Sequence, residues 1–443
     1  MILRLVYRNF LSFDEEVQFD MFPNMKRTSL AGHIYPIGDA AAVLKMTAIY
    51  GGNGVGKSNM LNGVKFLQQL ATQKDFLSAE RVEKYTFRLK PDAGVDPMEL
   101  STEFVTRAGE AFLYSVAIGR RGITSERLYV SGLGQRPNEM IFDRTATGVT
   151  CGLPLSPEVA QIADGWVAQN PFASLLTLNR EVQLLKDERI ALAQRWFADE
   201  LLVIGLNSIS PALIALYKND EALKRFTSQL FHAIKLGIDR VKVQTENFED
   251  WLGAHSATDL PVDKIQQLQD GVFSEIVDSS RVTRSISVDD GVRKISQLMF
   301  EQWGKSAFKR DMDIEAQSDG TVRLLFLAPA FYAAMREGRT VFIDEIDHSI
   351  HPILVRALVQ YFSAAATTGQ LIFTTHQTCL MNQQFLRTDE IWLVEKHEGA
   401  TVAYSLNDFK IHHTINIENG YLEGRFGAIP FLGELNFDDS EEA

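Results

Sequence analysis

A chain of 443 residues, 45% hydrophobic and 23% charged, has ordinary globular composition, which excludes a mainly disordered protein. At this length it holds roughly two or three domains, or one large α/β unit with an insertion. With 44 Lys and Arg against 57 Asp and Glu the net charge is −13, so nucleic acid is not bound over the whole surface and any such contact needs a local basic patch. The two cysteines, Cys151 and Cys379, form neither a disulfide framework nor a metal spacing, which points to a reducing compartment. The first ten residues lack the features of a signal peptide. The longest uncharged apolar stretch, Leu324–Met335, is twelve residues long with Pro329 inside, too short to cross a bilayer. The expectation is a cytoplasmic protein with no membrane partner.

Leu3, Leu5 and Tyr7 alternate with Arg4 and Arg8, a strand pattern. Asp20 to Asp39 reads as a loop. Met46 to Tyr50 is a short apolar run meeting Gly51 and Gly52, after which Leu61, Val64, Leu67 and Ala71 mark one face of a helix over Ser58 to Thr72. From Met98 to Arg144 the pattern is strand throughout, with a tight turn at Gly119-Arg120-Arg121-Gly122. Helical spacing dominates from about 155 to 235, with Leu184, Leu185, Ala191, Leu192 and Trp196 on one such helix. Ile238 to Val243 is a short apolar piece, 244–290 is mixed, and a helix is predicted over Gly291 to Lys309. The last third reads α/β: helix Val322 to Arg336, strand Thr340 to Ile343, helix Pro352 to Ala365, then strands Gln370 to Thr374, Glu390 to Val394 and Ala400 to Ser405. The tail from Glu434 holds five acids in ten residues and reads as solvated.

The strongest motif is Gly51-Gly52-Asn53-Gly54-Val55-Gly56-Lys57-Ser58, which satisfies G-x-x-x-x-G-K-[ST] in full. A glycine turn with a chance Lys-Ser would share the letters, but a buried strand enters this one and an amphipathic helix leaves it. Backbone N–H groups of such a loop, with the helix N-terminus, cradle phosphate oxygens. Gly51 through Asn59 are thus candidates for binding ATP, with Lys57 reaching the β- and γ-phosphates and Ser58 binding Mg²⁺. Val341-Phe342-Ile343-Asp344-Glu345 is a buried strand with two acids at its carboxyl end, the edge where α/β sheets bind ligands. Asp344 is the candidate Mg²⁺ ligand and Glu345 the candidate base for water. Ser318-Asp319-Gly320-Thr321 then precedes a helix, and Thr374-Thr375-His376 ends the strand that follows.

A serine-glycine element before a helix, strand-Asp-Glu, then strand-Thr-His is the order of an ABC-type ATPase. The sequence resembles the ABC-type ATPases grouped with the structural-maintenance-of-chromosomes, RecF and overcoming-lysogenization-defect proteins, and within them the stand-alone AAA ATPases of bacterial abortive-infection and other anti-phage systems. Further supporting residues are Asn9-Phe10, Ile346-Asp347 followed by His351-Pro352, and the run from Tyr421 to Pro430; the match covers about 1–120 and 300–432. The resemblance implies an α/β, ABC-type phosphate-loop head, with a mixed-sheet lobe and a RecA-like core. It implies head dimers in which Ser318, Asp319 and Gly320 of one copy meet ATP held by the other, and His376 as a γ-phosphate sensor. Ser318 could equally be a plain helix cap, and Asp347 either couples the two sites or caps the helix at Pro352. The Gln that such ATPases aim at Mg²⁺ has no equivalent between Phe87 and Phe104, since Gln68, Gln69 and Gln73 fall on the preceding helix.

Three segments are expected: head residues 1–153, a mostly helical insert over 154–305, and head residues 306–443. The resemblance implies a switch ATPase controlling a separate effector, a nuclease or toxin, in anti-phage defence. A RecF-like DNA-binding ATPase of repair is the alternative. A built-in nuclease is rejected, because only 67 residues follow His376 and they hold no Glu followed by an Asp-x-Asp pair. His348 and His351 beside Asp347 have a spacing that a helix start gives by chance, and His412-His413 reads as surface. Arg120, Arg121, Arg281, Arg284, Arg293, Lys294, Lys305, Lys309 and Arg310 would make a nucleic-acid patch only if the fold gathered them; a solvated surface is the simpler reading.

Overall fold

The computed structural model describes residues 1–39, 41–206, 213–254, 260–277, 283–365, 367–411 and 415–430. Arg281, His412-His413 and the acidic tail lie outside the described residues. The chain divides into two compact units, Met1–Val203 with Gly338–Glu345 and Thr368–Ala443, and Ile204–Glu337 with Ile346–Thr367.

The first unit opens with β1 (Ile2–Arg8) and β2 (Val17–Asp20), followed by the short pair β3 (Ile34–Ile37) and β4 (Ala41–Leu44), of which β3 lies inside the segment read as loop. Then come β5 (Met46–Tyr50), α1 (Lys57–Thr72) and α2 (Ala79–Tyr85). The strands β6 (Met98–Val105), β7 (Ala111–Gly119), β8 (Gly122–Val130), β9 (Glu139–Thr145) and β10 (Val149–Cys151) follow as an antiparallel run. With β1 and β2 they form a seven-stranded sheet in the order β10-β9-β8-β7-β6-β1-β2. The predicted turn at Gly119–Gly122 joins β7 to β8 in register, Gly119 opposite Gly122.

Helices α3 (Pro157–Gln169), α4 (Leu175–Val182) and α5 (Glu188–Arg195) come next, and α5 runs into a π-helical turn, Trp196–Glu200, before β11 (Leu201–Ile204). Leu184 and Leu185 precede α5 rather than lying on it. Each of the three helices starts on a side chain that caps it, Ser156, Ser174 and Asp187.

The second unit contains α6 (Leu213–Asn219), α7 (Glu221–Ala233), β12 (Ile238–Asn247), α8 (Phe248–Ala254), α9 (Val262–Gln266), β13 (Phe273–Val277), β14 (Thr283–Asp289), β15 (Val292–Trp303) and β16 (Lys309–Asp313). The insert is mostly helical as far as Ala233, with strand β11 between α5 and α6, but sheet organises its second half, and the helix predicted over Gly291–Lys309 is strand β15. Ile295, Leu298 and Met299 do have helical spacing. That local signal loses to pairing on both edges, with β12 on one side and β14 and β16 on the other. Phe248, Trp251, Leu260, Ile265, Ile286 and Ile295 form a small core on this sheet.

α10 (Asp319–Arg336) and α11 (Pro352–Ala364) belong to the second unit, whereas β17 (Thr340–Ile343), which lies between them in sequence, belongs to the first. The chain ends with β18 (Gln370–Thr374), β19 (Ile391–His397), β20 (Ala400–Ser405) and α12 (Ile417–Leu422). A six-stranded sheet has the order β11-β17-β18-β5-β19-β20, with β17, β18, β5 and β19 parallel. All five residues of β5 are buried, as is usual for a strand with parallel neighbours on both sides. Gln370 ties the two large sheets of this unit together. Its Nε2 donates to the carbonyls of Ile2 and Leu44, both at 2.9 Å, and its Oε1 accepts the Ile2 N–H at 2.7 Å.

A fully buried ion pair holds the helices to the antiparallel sheet. Arg144 and Glu126 meet at 3.2 Å with both side chains sealed from solvent. Glu126 also accepts the Leu175 N–H at 2.7 Å and the Tyr114 hydroxyl at 3.0 Å, while Arg144 donates to the carbonyls of Ala173 and Asn170. Burial raises the Tyr114 phenol far above its ordinary pKa, so it remains a donor. Removing one partner strands a buried charge. Arg144→Met is therefore expected to lower stability by about 3–5 kcal/mol, measured as the urea unfolding free energy at neutral pH.

Candidate functional site

The phosphate loop leaves the carboxyl end of β5. Gly56 is the N-cap of α1 in a left-handed conformation, φ 113°, and Gly54 is left-handed as well, φ 72°. A Cβ on Gly56 would collide with the Thr401 hydroxyl, and one on Gly51 with the Val394 carbonyl, so the loop passes where only glycine fits. Asn53, Gly54 and Ser58 are exposed, and Lys57 is buried. The Lys57 ammonium donates to the carbonyls of Gly51 at 2.9 Å and Gly52 at 2.8 Å, and so folds back over its own loop.

Two residues that the sequence does not advertise brace this loop. The Thr401 hydroxyl, at the start of β20, donates to the Val55 carbonyl and meets Ser12 Oγ, each at 2.7 Å. Ser12 Oγ also accepts from Asn59 Nδ2 at 2.8 Å, and the Thr401 N–H donates to the Ser12 carbonyl at 2.7 Å. Asn59, a candidate nucleotide contact, thus anchors α1 to the turn after β1. The run from Tyr421 to Pro430 lies against the loop's other side, where a Cβ on Gly52 would stand 3.6 Å from Pro430. Tyr421 donates to the Ala428 carbonyl and Tyr404 to the Phe426 carbonyl, both at 2.9 Å, and Glu395 accepts the Ala428 N–H at 2.8 Å. Burial raises the pKa of both phenols and keeps them neutral.

The carboxylate pair sits at the end of β17. Asp344 is 8% exposed and Oδ1 accepts the Thr374 hydroxyl at 2.7 Å, while the same Thr374 oxygen accepts the Glu345 N–H at 2.7 Å. One hydroxyl therefore holds the Asp344 carboxylate and the Glu345 main chain. Parallel register explains it: Ile343 pairs with Phe373, so Asp344 and Thr374 leave the two strands side by side. Glu345 has a left-handed backbone, φ 47°, which turns the chain immediately after the strand. For a non-glycine residue this costs about 1–3 kcal/mol, and such strain clusters at working sites. His376, two residues beyond β18, is exposed. The structure therefore brings Gly51–Asn59, Asp344, Glu345 and His376 to the carboxyl edge of one parallel sheet.

Ser318, Asp319 and Gly320 belong to the second unit. Ser318 caps α10: its Oγ accepts the Thr321 N–H at 3.3 Å and lies 3.0 Å from the Thr321 hydroxyl. A Cβ on Gly320 would stand 2.6 Å from the Ser349 carbonyl, so this position requires glycine for packing. Ser318 and Asp319 are exposed. His351 accepts the Ile353 N–H at 3.3 Å and caps α11, and no cluster of three or more His, Cys, Asp or Glu residues is poised for a metal among the described residues. Many of the second unit's basic residues are paired with acids: Arg284 with Glu315 at 2.7 Å, Arg293 with Glu249 at 3.7 Å, Lys294 with Asp289 at 3.3 Å and Lys309 with Asp239 at 2.6 Å. No helix among the described residues is long and apolar enough to cross a membrane.

A glycine-lined loop from a buried parallel strand into a helix N-terminus, with an acid-tipped strand two places along the same sheet, defines a phosphate-loop AAA-type nucleotide-binding head. The chain belongs to the family described as "AAA domain, putative AbiEii toxin, Type IV TA system", whose sequence profile matches residues 46–382. Among solved structures it is similar to an SMC head bound to the C-winged helix domain of ScpA, with 14% identity over 91% of this chain and 97% of that one and a TM-score of 0.49. It is also similar to the SMC head domain from Thermotoga maritima, with 14% identity over 91% and 98% and a TM-score of 0.41. A third is the Smc head domain with a coiled coil and joint from Pyrococcus yayanosii, with 12% identity over 96% and 99% and a TM-score of 0.47. No curated protein sequence matches the chain.

Thr374→Val keeps side-chain shape but removes the hydroxyl that holds the Asp344 carboxylate and the Glu345 main chain. It is expected to reduce Mg²⁺-dependent ATP hydrolysis about 10–100-fold with an unchanged circular-dichroism spectrum, measured by steady-state phosphate release.

Proposed function

We propose that this protein is an ATP-hydrolysing switch whose heads pair around bound nucleotide, and whose pairing controls a separate effector protein in an abortive-infection system. The observation that carries the reading is the Asp344–Thr374–Glu345 bridge at the carboxyl edge of the sheet that also supplies the phosphate loop. The residues present suit Mg-ATP. The loop offers backbone donors at a helix N-terminus, and Lys57 is a buried cation that donates to two carbonyls of its own loop. Phosphate oxygens are stronger acceptors for an ammonium than neutral carbonyls, so Lys57 exchanges the latter for the β- and γ-phosphates. Ser58 and Asp344 would hold Mg²⁺, which when bound neutralises phosphate charge. Glu345 takes a proton from water as the water oxygen bonds to the γ-phosphorus and the bond to the ADP oxygen breaks. His376 senses the γ-phosphate.

In this reading Ser318, Asp319 and Gly320 complete the site of a second copy, with backbone and hydroxyl donors at the start of α10. The family description supports an effector of toxin type, and the ion-paired state of many second-unit cations favours the switch over a RecF-like DNA clamp.

Glu345→Gln preserves the shape of the side chain but cannot accept the proton. ATP binding by calorimetry is expected to persist while turnover drops at least about 100-fold. An undiminished steady-state rate would remove Glu345 from the base role.

Ser318→Arg is expected to bind ATP normally yet neither dimerise nor hydrolyse. Mixed with a Lys57→Ala chain, which lacks the phosphate-binding cation, it should regain activity, because both defects can fall on one composite site and leave the other intact. The ATPase rate should peak near an equimolar mixture. Full activity of Ser318→Arg as a monomer would overturn the paired-head reading.

A further inference from the structure

The turn that carries His376 is held on both sides of that residue. Thr375 is fully buried, and its N–H donates to the Ile49 carbonyl at 3.1 Å. Its hydroxyl accepts the Gln377 N–H at 3.0 Å. The Gln377 carbonyl takes the Tyr50 hydroxyl at 3.2 Å and the Leu380 N–H at 3.3 Å, which uses both of its lone pairs. Within residues 375–380 only His376 is exposed. Its side chain thus stands out from a short length of backbone that is fixed before and after it.

Two elements supply the anchors. Tyr50 ends β5, next to Gly51 of the phosphate loop, and is 1% exposed. Helix α12 supplies the other: Glu418, in its first turn, accepts the Thr378 hydroxyl at 2.9 Å. The two supports meet, since the Tyr50 and Tyr421 ring centroids stand 6.1 Å apart. Tyr421 also opens the run to Pro430 that lies against Gly52. One small group of side chains therefore bears on the phosphate loop and on the His376 turn together. Thr378 and Glu418 are half-buried, so water can replace their bond at small cost in stability, and what the bond secures is the position of the turn.

We propose that Tyr50 and the Thr378–Glu418 pair are positioning residues for His376, a role that rests on the γ-phosphate sensing proposed for that histidine. They hold the His376 backbone so that the imidazole is in place when the γ-phosphate arrives. Placement matters here because a displacement of about 1 Å costs on the order of 100-fold in rate. The phosphate loop carries most of the ground-state binding, so loss of either support lowers turnover and leaves ATP affinity nearly unchanged.

The test is steady-state phosphate release by the full chain with Mg-ATP. Thr378→Val and Tyr50→Phe each lower kcat at least about 10-fold and keep KM for ATP within about twofold of the wild type. Thr378→Ser, which keeps the hydroxyl, restores kcat. The same two changes are then made in a His376→Ala chain, which itself loses kcat. There they cause no further loss, because they act through the missing imidazole. A merely structural role would lower kcat by the same factor with or without His376. Positioning is overturned if Thr378→Val or Tyr50→Phe lowers kcat equally in both backgrounds, or if either leaves kcat unchanged while His376→Ala lowers it. An unchanged kcat in His376→Ala alone would instead remove the sensor role, and positioning would fall with it.

Discussion

Parallel pairing around β5 is the constraint on which the rest of the structure depends. In a parallel sheet every carboxyl end emerges at the same edge. The pairing of Thr374 with Ile49 brings the ends of β5 and β18 level, while β19, paired from Trp392 to Ile49 on the other side, runs on past them to His397. The phosphate loop, the Thr374 hydroxyl and the acids after β17 meet there because of backbone register, before any side chain chooses a partner. The side chains then refine the placement: Thr374 fixes the Asp344 carboxylate and the Glu345 main chain, and Thr401 and Ser12 fix the loop.

The surrounding architecture protects that edge. Gln370 fastens the parallel sheet to β1, and Asn59 fastens α1 to the turn after β1. The buried Arg144–Glu126 pair then holds the helices after β10 against the antiparallel sheet. Gln370, Arg144 and Glu126 are polar side chains in a dry place, where an unpaired partner would be costly. Such links specify position more than they add stability, which suits a head that must present several groups to one ligand.

Much of this was legible in the chain. Strong local signals survived: Met46–Tyr50, Thr340–Ile343, Gln370–Thr374 and Ala400–Ser405 are strands to the residue, because short buried apolar runs between turn signals have few other options. The phosphate loop and the acid pair were visible for the same reason, as their chemistry demands fixed residue types at fixed spacing. The braces were not. Ser12 and Thr401 are 389 positions apart and each looks like an ordinary turn or strand residue. Thr374 was noted for its place before His376, yet its role comes from lateral register, which a single strand does not reveal. Strand β15 misled because Ile295, Leu298 and Met299 fit a helix equally well, although Asp290-Gly291, a two-residue hairpin turn, joins it directly to β14.

The long separation between the partners of β5 also sets a schedule for synthesis. Met46–Tyr50 leaves the ribosome early, but Leu371–Thr374 and Ile391–Leu393, the strands that flank it, are made more than 320 residues later. At about 5–20 residues per second the delay is on the order of tens of seconds. Through that interval an apolar strand and a glycine-rich loop wait without their neighbours while the antiparallel sheet and the inserted unit are already available to fold. The nascent chain is thus a natural client for a chaperone that shields one short hydrophobic segment, and the nucleotide-binding edge is among the last parts of the protein to exist.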